Sequence, residues 1–295
     1  MSIAVTGASG LIGTALCKRL EADGHRVTRI GRAATSPDAI VWDPSADRLD
    51  VARLEGIDAF VHLAGAGIGD HRWTDAYKQT LVESRTLATG LLARSIAAMS
   101  EPPRCLVSAS AVGWYGPRGE EELSESSERG AGFLSDLCRD WEAATRPAQD
   151  AGVRVCHART GVVLTRRGGA LRKQLPLFKL GLGGRVGSGR QWLSWISLTD
   201  QVDAIIHLLG SQLSGAVNLT APNPVTNSEF TKALGAAVRR PAIFPAPVAI
   251  LKLALGRELV DNLLLTGQRV TSSRLLDDGF RFTHTYVGDA LQREV

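Results

Sequence analysis

The chain has 295 residues, 44% of them apolar and 22% charged, enough for one large or two modest domains around an ample core. Its formal net charge is only +4, and its arginines are scattered rather than striped along one face, which argues against a nucleic-acid-binding surface. The four cysteines (Cys17, Cys105, Cys138, Cys156) show no Cys-x-x-Cys pair or metal-ligand spacing, and the apolar stretch Val248–Leu255 is too short to cross a bilayer, so a reducing, cytoplasmic setting with no membrane, metal or nucleic-acid partner is expected.

The run Ile3-Ala4-Val5 reads as a buried strand, and it leads directly into Thr6-Gly7-Ala8-Ser9-Gly10-Leu11-Ile12-Gly13. Three glycines spaced by three between a strand and a helix suit a dinucleotide diphosphate. Gly7 permits the tight turn, Gly10 lets backbone amides approach the phosphates, and Gly13 lets helix and strand pack closely. Gly7, Ser9, Gly10, Leu11, Ile12 and Gly13 are therefore the candidate cradle, with the diphosphate at the positive end of the helix; a purely structural glycine turn is the alternative. Because a first strand at Ile3 leaves no room for a cleaved leader, a signal peptide is not expected.

A helix is predicted over Leu11–Ala22 and a second strand over Arg26–Ile30. A site for the unphosphorylated cofactor places an acid near the end of that strand to bond the ribose 2′-hydroxyl. Here the stretch reads Arg29-Ile30-Gly31-Arg32-Ala33-Ala34, with no acid before Asp38. Arg32 would instead meet a 2′-phosphate with a forked, charge-assisted contact, while Gly31 leaves room for the adenosine. The expected cofactor is NADP(H); a solvated surface arginine is the alternative.

Further strands are predicted at Ala39–Trp42, Ala59–Gly65, Cys105–Ser108 and Arg154–Ala158, with helices over Thr74–Ala98 and Leu134–Ala151. This alternation indicates a doubly wound parallel sheet. The pattern changes near Leu164, and a second module is expected from about residue 166. The glycine-rich segment Gly181–Gly189 lacks the Gly-Lys-Ser/Thr ending of a P-loop and reads as a loop bordering a substrate cleft or as a connector.

Several segments together resemble the extended short-chain dehydrogenase/reductase superfamily, in its atypical epimerase-family branch with a characteristic C-terminal domain. They are Thr6-Gly7-x-x-Gly10-x-x-Gly13, Leu63-Ala64-Gly65, Arg72-Trp73-Thr74, Glu83-Ser84-Arg85, Gly187-Ser188-Gly189-x-Gln191, Ser194-Trp195-Ile196, Ala221-Pro222-Asn223-Pro224-Val225-Thr226-Asn227 and Gly279-Phe280-x-Phe282. The resemblance implies a Rossmann-type fold over residues 1–165, a segment near 198–221 that returns to the main sheet, and a smaller substrate-capping domain within 166–295. It also implies that Gly31 and Arg32 hold the adenosine phosphate end. Leu63, Ala64 and Gly65 would line the cofactor passage, Thr80 and Arg85 would touch the cofactor from the following helix, and Val163 would lie near the nicotinamide. A homodimer through the long helices is implied as well.

Enzymes of this superfamily pair a Ser or Thr with Tyr-x-x-x-Lys, the lysine and cofactor lowering the tyrosine's pKa. Ser110 matches the hydroxyl, as a substrate-orienting group or a turn serine. The tyrosine position falls near Leu134 and the lysine near Cys138, so the pair is absent. Of the three tyrosines, Tyr115 is the one in a loop that could face the crevice, as an acid or substrate contact; a packed aromatic is the alternative. Trp192 and Trp195 either stack on a substrate ring or close the interface between modules. The reading is an NADP(H)-dependent oxidoreductase or epimerase-like enzyme for a small polar hydroxyl or carbonyl substrate, a nucleotide sugar among the candidates. The alternative is a catalytically weak NADP(H)-binding regulator or scaffold.

Overall fold

A computed structural model describes residues 1–34 and 38–295. The first half runs β1 (Ser2–Thr6), α1 (Leu11–Ala22), β2 (Arg26–Gly31), β3 (Ile40–Asp43), β4 (Arg48–Leu49), β5 (Ala59–His62), α2 (Asp75–Ala97) and β6 (Cys105–Ala111). Then come β7 (Glu122–Leu123), α3 (Phe133–Ala143), α4 (Arg146–Asp150), β8 (Arg154–Thr160), β9 (Val162–Leu164), α5 (Gly169–Lys179), β10 (Trp192–Leu193) and β11 (Trp195–Ser197). The chain continues through α6 (Leu198–Gly210), β12 (Gly215–Leu219), β13 (Val225–Thr226), α7 (Asn227–Ala237), α8 (Val248–Leu255), α9 (Arg257–Leu263), β14 (Arg269–Val270), α10 (Ser273–Asp277) and α11 (Val287–Glu294).

Eight strands form one sheet in the order β12-β8-β6-β5-β1-β2-β3-β4, parallel throughout except where β4 turns back on β3. Side chains alternate across each strand, so the central strands are apolar on both faces. Ile3, Val5, Val61 and Val107 pack toward α1 and α6, whereas Ala4, Phe60 and Leu106 pack toward α2 and α4. The chain order reverses between β1 and β5, and a crevice opens there at the carboxyl ends of the strands.

The helix expected over Leu134–Ala151 is two helices. Pro147 has no N–H and would crowd the carbonyl four residues earlier, so the first helix ends at Ala143. The hydroxyl of Thr145 caps the break by donating to the Glu142 carbonyl (2.7 Å) and sits 2.9 Å from His157 Nε2.

A third apolar cluster joins Leu164, Leu171, Phe178, Trp195, Phe230, Leu234 and Leu291 beyond the sheet. Trp195 is fully buried in it and donates to the Asn223 carbonyl at 3.0 Å. Trp195 is thus core, whereas Trp192 is half-buried and lines the cleft. All four cysteines are buried thiols. Among the described residues no helix is long and apolar enough to cross a membrane, and no three His, Cys, Asp or Glu side chains cluster as metal ligands.

Candidate active site

Parallel register brings the candidate residues to one edge. Thr6 pairs with Ile30 on one side and His62 on the other, so Gly7 emerges between Gly31-Arg32 and Leu63-Ala64-Gly65. Ser110, on β6 two strands from β1, pairs with Arg159 on the adjacent β8. A cleft of about 530 Å³ follows this edge. Its lining includes Gly7, Gly10, Leu11, Ile12 and Gly13 from the glycine turn, together with Leu63, Gly65, Arg85, Ser110 and Val163.

The turn is shaped by two glycines. Gly7 has φ +65°, and a Cβ there would stand 2.7 Å from the Leu63 carbonyl carbon. A Cβ on Gly13 would lie 2.2 Å from the Gly7 carbonyl oxygen, too close for any side chain. Helix α1 starts at Gly10 with no side-chain cap and no acid in its first turn. Its free amides and dipole therefore face the cleft without an internal anion, as a diphosphate site requires.

Beneath the turn, Thr6 Oγ1 accepts from the amides of Leu63 (3.1 Å) and Ala64 (3.3 Å). Its single proton therefore goes to His62 Nδ1 at 2.7 Å, which leaves Nε2 to donate to Thr89 at 2.9 Å. Complete burial lowers the His62 pKa to about 3, so the imidazole is a neutral strut that fixes the Leu63–Gly65 turn.

Arg85 enters from α2, buried, with Nη1 donating to the Leu81 carbonyl (3.1 Å) and Nη2 to the Ala66 carbonyl (3.0 Å). Its guanidinium lies 4.9 Å from the Trp141 ring, and burial lowers its pKa. Ser110, 3% exposed, donates to Glu142 Oε1 at 2.7 Å. Glu142 accepts two further bonds from Arg159, at 2.8 Å from Nε and 2.9 Å from Nη2. The Arg159 guanidinium is covered by the Trp114 ring at 3.9 Å. Burial pushes the neighbouring Cys138 thiol up to about 12, so it stays protonated.

Other expected site residues lie apart from the cleft lining. Ser9 is exposed in the turn. Ala64 is half-buried against the α2 side of the core. Gly31 ends β2 and the exposed Arg32 follows it just beyond the cleft, beside the Gly7 turn, and Arg32 makes no ion pair among the described residues. Thr80 is exposed and returns its hydroxyl to the Ala76 carbonyl at 3.0 Å.

Tyr115 departs from expectation: it does not face the crevice. A short 3₁₀ turn, Val112–Tyr115, drives its ring into a cluster with Leu123 and Val270, where it is fully buried. Its hydroxyl donates to Asn218 Oδ1 (2.7 Å) and accepts from Arg159 Nη1 (3.1 Å). Burial raises its pKa, with Arg159 opposing. Leu134 and Cys138, at the positions of the missing tyrosine and lysine, do line the cleft.

Sequence reasoning missed Glu142 and Arg159. Arg159 lies in a strand whose neighbours Val155, Cys156 and Ala158 are all buried, and a charge there demands a partner. Also missed were Asn262, Thr266 and Gln268, which reach the cleft from the region after α8.

Fold and cleft define a dinucleotide-binding α/β protein with its ligand groove at the point where strand order reverses. The family model of the NAD dependent epimerase/dehydratase family matches residues 3–220, and a domain of unknown function (DUF1731) matches residues 246–294. The chain belongs to the NAD-dependent epimerase/dehydratase family. It is 47% identical over 291 residues to epimerase family protein Mb2239 of Mycobacterium bovis, covering 98% of this chain and 96% of that protein. The crystal structure of human epimerase family protein SDR39U1 (isoform 2) with NADPH superposes with a TM-score of 0.92 at 37% identity, covering 100% of this chain and 99% of that one. A nucleoside-diphosphate sugar epimerase from Corynebacterium glutamicum gives a TM-score of 0.82 at 38% identity, covering 100% of this chain and 58% of that one.

Proposed function

We propose that the chain is an NADP(H)-dependent oxidoreductase acting at a hydroxyl or carbonyl carbon of a small molecule, with residues 166–197 and 222–295 capping the cleft. The observation that carries this reading is the shared edge: a turn with no room for a Cβ at Gly7 or Gly13 and a hydroxyl at Ser110 open into one cleft. The turn fits the cofactor on its own geometry, since α1 opens with uncapped amides and the absence of a Cβ at Gly13 lets the helix close on the Gly7 carbonyl.

Gly10 to Gly13 would hold the diphosphate, Arg32 the 2′-phosphate, and Leu63–Gly65 the ribose passage. When bound, NADPH would supply a hydride to the carbonyl carbon, and the proton gained by the oxygen would come from solvent. Ser110 positions that oxygen with its single O–H. While it donates to Glu142, its lone pairs are free to accept from a substrate hydroxyl. Turned into the cleft, the same O–H donates to a carbonyl oxygen, and Glu142 stays paired through its two bonds from Arg159. Tyr115 contributes by holding Arg159 from behind.

A second reading, an NADP(H)-binding regulator with little turnover, draws on Leu134 and Cys138 at the tyrosine and lysine positions. Titration calorimetry with NADPH and NADH tests the cofactor assignment. The wild type is expected to prefer NADPH, and Arg32→Asp to remove a contact of about 1.5–3 kcal/mol, roughly ten- to hundredfold in that preference. An unchanged ratio would contradict it. NADPH oxidation followed by absorbance with a carbonyl panel separates enzyme from regulator: turnover that falls by about two orders of magnitude in Ser110→Ala supports the enzyme. Tight NADPH binding with no turnover on any carbonyl favours the regulator.

A further inference from the structure

The cleft beyond the glycine turn is walled by Ile68, Leu134, Leu137, Trp141, Leu193 and Leu263. Among the described residues that line the cleft, Arg85 is the one cation and no carboxylate is present. Arg85 already spends two donors on the Leu81 and Ala66 carbonyls and lies over Trp141.

Two cations near the groove are likewise engaged. Lys173 donates to the Gly69 carbonyl at 2.6 Å, and Arg269 stacks on Trp192 at 4.8 Å while pairing with Glu122. Helix α3 meets the cleft at Leu134, and Asp136 in its first turn engages both nearby arginines, Arg129 at 2.7 Å and Arg139 at 3.2 Å. The free helix start, α1, belongs to the glycine turn. A second diphosphate would therefore enter a largely apolar pocket in which Arg85, held by two backbone carbonyls, is the one charged group among the described lining residues.

The polar groups on this side are neutral. Asn262, Thr266 and Gln268 line the rim, and two buried polar atoms in the wall, Trp141 Nε1 and Gln201 Oε1, have no protein partner among the described residues. A pocket with apolar walls and a few neutral hydrogen-bonding groups selects a ligand of the same character. Resting on the cofactor reading above, we infer that the substrate is an uncharged, largely apolar carbonyl compound, an aromatic, alicyclic or short aliphatic ketone or aldehyde, and not a nucleotide sugar. Leu134 and Cys138 fit this inference, since they extend the apolar wall where the superfamily carries a phenol and an ammonium.

The test is saturation-transfer NMR on NADPH-loaded protein with acetophenone, cyclohexanone, 2-octanone, UDP and UDP-glucose, and a separate calorimetric titration with NADPH alone. Transfer to at least one ketone is expected, with none to UDP or UDP-glucose at the same concentration. Leu263→Arg, at a half-buried position that tolerates a charge, is expected to weaken ketone binding by at least about tenfold, and Leu137→Arg by more if it folds. Binding of UDP-glucose more tightly than every ketone, or the absence of transfer to all three ketones, overturns the inference. No heat with NADPH overturns the cofactor reading and the inference with it. That failure is recognised separately, because its titration contains neither kind of probe.

Discussion

The two halves of the cleft are made of different material. The half around Gly7–Gly13 and Leu63–Gly65 is backbone, shaped by steric exclusion and held by the Thr6–His62–Thr89 strut. The half around Ser110 is side chain, resting on the buried Glu142–Arg159 pair and walled by Leu134, Leu137 and Cys138. Backbone geometry depends on a few glycines and resists replacement. Side-chain chemistry can be exchanged one residue at a time without moving the sheet. That asymmetry explains how a family fold keeps its cradle while the tyrosine and lysine positions carry apolar groups.

The comparison can be broken most forcefully from the side-chain half. Glu142→Ala leaves the Arg159 guanidinium buried without its carboxylate, at an expected cost of about 3–5 kcal/mol in denaturant unfolding. A loss under 1 kcal/mol would show that the pair is not the foundation of Ser110. In the backbone half, Gly13→Ala drives a Cβ to 2.2 Å from the Gly7 oxygen. The expected strain is about 3 kcal/mol, and NADPH affinity measured by calorimetry should drop about a hundredfold or more.

The strut beneath the cradle gives a pH signature. Folded His62 stays neutral down to about pH 3, whereas its ordinary value is 6.5. The unfolded chain thus binds the extra proton below pH 6.5, and stability declines as pH falls from 6.5 toward 3. The slope is about 1.4 kcal/mol per pH unit, about 2 kcal/mol by pH 5. His62→Gln should remove about one proton from that slope, and an unchanged slope would place the titration elsewhere. The smallest effect belongs to Tyr115→Phe, which deletes the bonds to Asn218 and Arg159. About 1 kcal/mol of stability is expected to go, with NADPH affinity unaltered. A collapse of cofactor binding in this variant would contradict the placement of Tyr115 behind the site.

The backbone half was the legible one. Glycine spacing between an apolar strand and a helix is a steric requirement written in residue type, and the alternation of strands and helices fixed which ends would meet. The side-chain half was less legible because direction is a tertiary property. Nothing local to Gly113-Trp114-Tyr115-Gly116 announces that a 3₁₀ turn buries the phenol. Nothing within α2 distinguishes Thr80, which points outward, from Arg85, which points in. Two features carried signals that could have been read: Arg159 inside a buried strand, and Pro147 inside a predicted helix. The contribution of Asn262–Gln268 to the cleft depends on contacts distant in the chain, such as Ser194 Oγ donating to the Gln268 carbonyl 74 residues away, and leaves no local trace.

The most direct measurement is a crystal structure of the protein soaked with NADPH. The account predicts the diphosphate on the amides of Leu11–Gly13, the 2′-phosphate against the Arg32 guanidinium, and the nicotinamide in the cleft within reach of Ser110. Density for the 2′-phosphate away from Arg32, or NADPH bound outside the glycine turn, would contradict it.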